Sequence, residues 1–374
     1  MNLLFVCGGT AGHINPALAV ASEFKKRFPK CKILFVGAGK ELEKKLIPAA
    51  GFHLVNIKMS GLRRSVSPNN LLYNLSTVKN LTTAGIKAGK VIKRFSPDAV
   101  IGTGGYICYP VLKKAAQMGI PTVIHGSDAV PGLTTKMLST TVDKILVSFP
   151  GLESQYKKPE RVEFTGTPVR AKFTDILSKT DEADKKAKPL VISFWGSLGA
   201  ERMNEAMAEF IKANIQDGRF EHIHATGKGG VERVKSNLKK PGMKENLPSE
   251  IKVVDYIEDM PSLMNRADLV LCRAGASTIA ELTILGKPAV LVPSPYVTNN
   301  HQEANARQLE KAGGAVVILE KDCYYNKLYD VASELLNDRE KLKRMSDAQK
   351  TLAITNAAEK IADIVMELIA KGKR

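Results

Sequence analysis

The chain has no paired cysteines. Its five, Cys7, Cys31, Cys108, Cys272 and Cys323, are odd in number, scattered and never spaced C-x-x-C. The pattern gives neither a disulfide framework nor a thiolate zinc site and fits reduced thiols. No apolar run reaches the roughly 18 residues that a membrane-spanning helix needs. The opening MNLLFVCGGT has no basic n-region, so it reads as a first strand, not a signal peptide. Aromatic residues are only 6% of the chain and no RNP-like or helix-turn-helix pattern occurs, which argues against nucleic acid as the partner. Three motifs of phosphate chemistry are missing as well: G-x-x-x-x-G-K-[ST], G-x-G-x-x-G and Asp-x-Asp. Nucleoside triphosphate hydrolysis, a nicotinamide cofactor and a metal-bridged diphosphate all lose support, and no cofactor or metal is expected.

What is present is a chain of 374 residues, 44% hydrophobic and 25% charged, long enough for two domains with sizeable cores. The net charge of +17 suits an anionic membrane face or a polyanionic small substrate. Strand and helix patterns alternate through residues 1–168. They pause in a polar stretch at 169–189 and restart through 190–351, while the amphipathic segment 352–374 is expected to pack back on the first half. Repeated strand–helix units of this kind predict an α/β chain of two doubly wound parallel sheets.

Each half begins with a strand, a glycine turn and a helix. In the first, Gly8-Gly9-Thr10-Ala11-Gly12-His13 precedes a helix expected from Pro16, with His13 where the helix field disfavours an imidazolium. A second glycine element, Gly102-Thr103-Gly104-Gly105-Tyr106, lets backbone approach a ligand or simply closes a turn. In the second half, Gly196-Ser197-Leu198-Gly199-Ala200 opens a helix as a cradle for phosphate, and Arg170 offers a forked cation. The stretch from Leu269 to Gln302 reads strand, turn, a helix from Thr278 to Leu285, strand and polar loop. Thr278 and Glu281 fit a capping box, while the same carboxylate could accept two hydrogen bonds from a sugar diol.

The ordered set GGTAGHINPALAVA, GTGGY, IPTVIH, VPGLTTKML, GTPVR, GSLGA, CRAGASTIAEL and VTNNHQEANA resembles the MurG family of bacterial transferases, glycosyltransferase family 28, along nearly the whole chain. The resemblance implies a GT-B fold, two Rossmann-like domains with a cleft between them. It implies inverting, metal-independent transfer of N-acetylglucosamine from its UDP form to lipid-linked muramyl-pentapeptide, at the cytoplasmic face of the membrane. By motif position it makes Glu281 a ribose ligand and places His301 and Gln302 at the donor sugar. Ser197 and Arg170 go to the diphosphate, Thr10, Gly12, Gly199, Ala276 and Ser277 to the same donor site, and the backbone of Ile257 to uracil. His13 and Asp128 are the candidate bases, and Gly104, Gly105, Tyr106 and His125 lie on the acceptor side.

Two departures stand out. His125-Gly126-Ser127-Asp128 replaces the family's His-Glu-Gln-Asn, and Trp195 and Leu198 occupy a glycine and a polar position of the Gly-Gly-Ser turn. They keep open a related transferase with another lipid or glycan acceptor, and a low-turnover UDP-sugar-binding scaffold or sensor. The segment Gly61 to Lys79, with Arg63, Arg64, Leu71, Leu72 and Leu75, is a candidate contact with anionic lipid or an ordinary amphipathic helix.

Overall fold

The computed structural model describes residues 1–59, 68–178, 188–196, 199–238 and 247–372, with backbone alone for 68–80. The chain forms two compact units, Met1–Arg170 together with the segment from Ile354, and Ala171–Ala353.

The first unit is built on strands β1 (Asn2–Val6), β2 (Lys32–Gly37), β3 (His53–Asn56), β4 (Ala99–Gly102), β5 (Thr122–Gly126), β6 (Lys144–Val147) and β7 (Val162–Phe164). They pair in the order β3-β2-β1-β4-β5-β6-β7, every pair parallel. The second unit holds β8 (Leu190–Phe194), β9 (Glu221–Ala225), β10 (Ile251–Val254), β11 (Leu269–Cys272), β12 (Ala289–Leu291) and β13 (Ala315–Val317), in the parallel order β10-β9-β8-β11-β12-β13. The expected doubly wound architecture is therefore present twice. In each sheet the order reverses beside the first strand, β1 or β8, and loops at the carboxyl ends of the strands flanking such a switch point form ligand crevices.

The central strands are apolar on both faces because helices cover both. Leu3, Leu4, Phe5 and Val6 are fully buried, as are Leu269, Val270, Leu271 and Cys272. Phe5 stacks on Phe35 with ring centroids 5.3 Å apart and meets Phe24 edge-on at 6.5 Å. The helix Ala357–Gly372 closes this core from the far end of the sequence. Ile361, Ala362, Ile364, Val365 and Ile369 pack in the same cluster as Phe5, Val20 and Phe24.

β7 and β13 are edge strands that the sequence pattern does not reveal, each only three residues long. Within the stretch expected to be a polar linker, Ala171–Asp175 is helical, continues as a turn through Ile176–Ser178, and buries Phe173 completely in the second unit. The rest of that stretch, 179–187, lies outside the described residues, as do Gly61, Arg63 and Arg64 of the candidate lipid contact. Leu71, Leu72, Leu75 and Lys79 lie on the backbone of the helix Pro68–Phe95.

Candidate active site

The helix after β1 starts earlier than its proline suggests. It runs Ala11–Arg27, with Pro16 inside it, so Gly12 and His13 belong to its opening turn. Extended Thr10 is the reason: its carbonyl accepts from the N–H groups of His13 and Ile14, at 3.1 and 3.2 Å, and nucleates the helix there. Proline then removes a single ladder bond near the N-terminus, where loss of a donor costs least.

His13 is held from two sides. Its Nδ1 lies 2.9 Å from the Gly8 carbonyl, which can only accept, so Nδ1 carries a hydrogen and in the neutral tautomer the lone pair falls on Nε2. The ring rests on Gly104, where an added Cβ would fall 2.3 Å from His13 Cδ2 and 2.7 Å from Nε2. Gly104 has φ +119°, so the position needs glycine for conformation as well as for space. Thr103 Oγ1 donates to the His13 carbonyl at 2.6 Å, which locks the two glycine loops together. Tyr106 continues the second loop, its hydroxyl donating to the Met59 carbonyl at 3.2 Å.

Sequence reasoning missed Glu43, which organises the first loop from below. Fully buried, it accepts from Gly9 N at 2.9 Å, Gly39 N at 2.8 Å and Lys40 N at 3.0 Å. A glutamate at the third position of the helix Glu41–Ala49 signals a cap. Its reach across to the β1 loop arises only when β1 and β2 pair.

His125, on β5, is buried, and its Nε2 donates to the Gly166 carbonyl at 2.9 Å. Burial lowers its pKa to about 4, against the opposing pull of that carbonyl and of Asp128. The imidazole is therefore neutral at physiological pH. Asp128 is half-buried, and its charge adds to burial in pushing the Tyr156 phenol up. Tyr156 is a second omission: its buried hydroxyl has no hydrogen-bond partner among the described residues and sits 3.3 Å from where a side chain on Gly126 would begin.

In the second unit the helix after β11 begins at Ala276, not Thr278, and ends at Leu285. Glu281 is thus its sixth residue, in the second turn, and no acidic side chain or side-chain cap occupies the first. The capping-box reading is corrected: Gly275 is the cap residue, and its carbonyl accepts from Ile279 N at 3.0 Å. Glu281 is only 9% exposed, and its charge, after burial, pushes the neighbouring Cys272 thiol up. Ala276 and Ser277 open the helix, and Ser277 Oγ is buried without a hydrogen-bond partner among the described residues.

Below this turn Arg273 and Glu320 form a buried ion pair at 2.5 Å, and the guanidinium also donates to the Val292 carbonyl at 3.1 Å. The same guanidinium lies 5.9 Å from the ring centre of Trp195, which is 3% exposed. Trp195, one of the two departures noted in the sequence, is thereby a core residue. Gly199 has φ +73°, and a Cβ there would lie 2.0 Å from the Thr226 carbonyl oxygen; Ser197 and Leu198 lie outside the described residues.

After β12, Asn299 and Asn300 both take positive φ, 54° and 49°, and turn the chain into the helix His301–Lys311. His301 Nδ1 is 2.8 Å from the Thr298 carbonyl, and Gln302 Oε1 accepts from Ser294 N at 2.9 Å. Ile257 is buried beyond β10. Within the first unit the structure brings together Thr10, Gly12, His13, Gly104 and Gly105. Within the second, Gly199, Ala276, Ser277 and Glu281 lie on loops and a helix at the carboxyl ends of adjacent strands. Arg170 is half-buried at the end of the first unit's long segment.

Known proteins match both halves. Residues 3–147 match the glycosyltransferase family 28 N-terminal domain and residues 190–363 its C-terminal domain. The chain is 44% identical to the UDP-N-acetylglucosamine--N-acetylmuramyl-(pentapeptide) pyrophosphoryl-undecaprenol N-acetylglucosamine transferase of Acetivibrio thermocellus, over 99% of this chain and 98% of that one. It is 42% identical to the protein of the same name from Caldanaerobacter subterraneus subsp. tengcongensis, over 98% and 99%. Among solved structures, Acinetobacter baumannii MurG superposes with a TM-score of 0.74 at 26% identity, covering 98% of this chain and 99% of that one. With both sheets, both glycine-turn helices and the whole length matched, the chain belongs to glycosyltransferase family 28, among the MurG-type N-acetylglucosamine transferases.

Proposed function

We propose that the protein transfers N-acetylglucosamine from UDP-N-acetylglucosamine to undecaprenyl-pyrophosphoryl-N-acetylmuramoyl-pentapeptide, the step that completes the lipid-linked disaccharide of peptidoglycan. The observation that carries this is 44% identity over 99% of the chain to a transferase of that name.

The second unit holds the donor. Glu281 accepts from the ribose hydroxyls, Ile257 offers backbone to uracil, and Gln302 and His301 address the sugar. Gln302 is suited to this because Ser294 N already occupies its Oε1 and so orients the amide. Ser197 and Arg170 contact the diphosphate, helped by Ala276 and Ser277 at a helix N-terminus, where unpaired N–H groups favour negative charge, and Gly199, Thr10 and Gly12 are further donor contacts. The first unit binds the acceptor around Gly104, Gly105, Tyr106 and His125.

The acceptor hydroxyl oxygen attacks the anomeric carbon as the bond from that carbon to the UDP oxygen breaks, inverting the centre. His13 Nε2 takes the hydroxyl proton, because Gly8 fixes the hydrogen on Nδ1. Asp128 is the rival base. UDP leaves with the bonding electron pair, its new charge stabilised by the helix N-termini and Arg170.

Among the described residues no helix is long and apolar enough to cross a membrane. We place the protein at the cytoplasmic membrane face, held by basic side chains including Arg63 and Arg64, in keeping with its +17 charge. The decisive assay supplies labelled UDP-N-acetylglucosamine and the lipid-linked muramyl-pentapeptide, with and without chelator. Lipid-linked disaccharide and free UDP in equal amounts, in both conditions, are expected. Donor binding without turnover, or turnover only with another acceptor, would sink the proposal.

A further inference from the structure

Beneath the donor loops of the second unit runs a chain of buried hydrogen bonds that none of the roles above uses. Ser193 on β8 and His222 and His224 on β9 are all fully buried. Residues two apart on a strand share a face, and Ser193 pairs in register with His224, so the three side chains meet. Ser193 Oγ is 2.8 Å from His222 Nε2 and 2.8 Å from His224 Nδ1. On its other edge, His224 Nε2 lies 3.2 Å from Asn204 Oδ1, and Asn204 Nδ2 donates to the Thr226 carbonyl at 2.9 Å.

Only one direction of donation satisfies every link. The Thr226 carbonyl can only accept, so Asn204 must turn its NH2 toward it and its Oδ1 toward His224. His224 therefore carries its hydrogen on Nε2 and accepts at Nδ1 from the Ser193 hydroxyl. That hydroxyl, having given its hydrogen away, accepts from His222 Nε2–H. The run ends at His222 Nδ1, which has no partner among the described residues, and the imidazole packs on Phe210 with ring centres 4.8 Å apart.

The other end is where the consequence lies. The Thr226 carbonyl fills the space that a side chain on Gly199 would need. Gly230, in the same loop as Thr226, packs so that an added Cβ would be 3.1 Å from Asn204 Nδ2. That loop is tied in turn to the one after β10: Gly227 N donates to the Asp255 carbonyl at 3.1 Å and Gly229 N to Asp255 Oδ1 at 3.0 Å. Asn204 thus touches the loop that joins the turns after β8 and β10, the latter two residues short of Ile257.

We infer that Ser193, His222 and His224 are positioning residues for the nucleotide: their one-way chain orients Asn204, which clamps the loop after β9 and, through it, the turns after β8 and β10 that contribute to the UDP seat. The inference rests on reading the second unit as the donor site. Three polar side chains in a sheet core are costly to bury, and apolar residues of similar volume would fill the space with less desolvation. What apolar residues cannot do is fix the direction of an amide.

Ser193→Ala removes the central link and almost no volume. By calorimetry its Kd for UDP is expected to rise about tenfold. The KM for UDP-N-acetylglucosamine should rise with it, while the KM for the lipid acceptor stays. In ligand-free protein, histidine ¹⁵N spectra should show His222 and His224 neutral with hydrogen on Nε2, and the Gly199 and Gly227 amide resonances should broaden in the variant. Should Ser193→Ala not fold, His222→Phe breaks the next link and is expected to raise the Kd at least threefold. A Kd within twofold of the parent's with unchanged glycine amides, or hydrogen on His224 Nδ1, overturns the inference. A parent protein that binds no UDP overturns the donor reading instead, and the ligand-free spectra still decide the clamp.

Discussion

His13 and Glu281 do different work, and substitution separates them. His13→Ala removes the proposed base and is expected to lower kcat by a factor of about 10² to 10⁴ while leaving UDP affinity unchanged. Glu281→Ala should raise the Kd for UDP roughly 10- to 100-fold, the worth of hydrogen bonds to a charged acceptor. Its effect on the unfolding midpoint should be small, because it caps no helix. A calorimetric titration beside a urea melt of each variant reads both outcomes. The place of His13 in the opening turn of a helix was legible from its glycine turn, whereas Glu281 was read a turn too early in its helix and owes its donor role to motif resemblance alone. Glu43, His222 and His224 were not, since each gains its partners from another strand or loop, nor was Tyr156, whose neighbour Gly126 lies on a separate strand; an isolated segment carries no trace of such neighbours.

At the level of the element, the turns after the strands depend on backbone conformation more than on side chains. Gly196 and Gly199 both have positive φ, 90° and 73°, but a Cβ at Gly196 meets nothing within 4 Å, whereas at Gly199 it meets a carbonyl oxygen at 2.0 Å. Gly196→Ala should therefore cost only about 1–2 kcal/mol of stability for the left-handed conformation. Gly199→Ala should cost more and also displace the Thr226 loop, weakening UDP binding; thermal melts with and without UDP test the pair. The strands themselves carry a pH dependence. His125 and His224 have pKa values lowered by burial to about 4, and His222 is also held well below its usual value. An imidazole depressed in the folded state takes up its proton more readily when unfolded, so stability is complete above about pH 6.5 and falls as pH drops toward 4. The loss is on the order of 3 kcal/mol for each of His125 and His224. Urea unfolding between pH 7.5 and 4 should show that slope, flattened when either histidine is replaced. At this scale the alternation of strand and helix was readable from apolar periodicity, and the short edges β7 and β13 were not, since three residues hold too little pattern. The Ala11 and Ala276 helix starts were missed because a proline and a threonine mimic helix openings that lie earlier in the chain.

The first unit draws one core from both ends of the sequence. Cutting the chain after Ala353 removes Ile361, Ile364, Val365 and Ile369 from the cluster around Phe5 and Phe24. Burial of such side chains is worth about 1.5–3 kcal/mol each, a sum comparable to the entire stability of an ordinary domain. The shortened chain is expected to leave the first unit unfolded or aggregated while Ala171–Ala353 keeps a cooperative melt; hydrogen exchange resolved by segment would show it. Membrane attachment belongs to this scale too. Neutralising Arg63 and Arg64 should weaken sedimentation with anionic vesicles and leave neutral vesicles unaffected, and equal binding to both would remove that segment from the proposal.

The return of Ala357–Gly372 to the first sheet also sets a timetable for synthesis. Domains of a growing chain ordinarily fold in the order they are made. Here residues 1–170 leave the ribosome with one flank of their apolar core uncovered, and the segment that covers it follows only after all of Ala171–Ala353. The second unit, begun later, can finish first. Through that interval the nascent first unit exposes an apolar surface around Phe24 and Val20, a target for chaperones that a simple beads-on-a-string chain would not present.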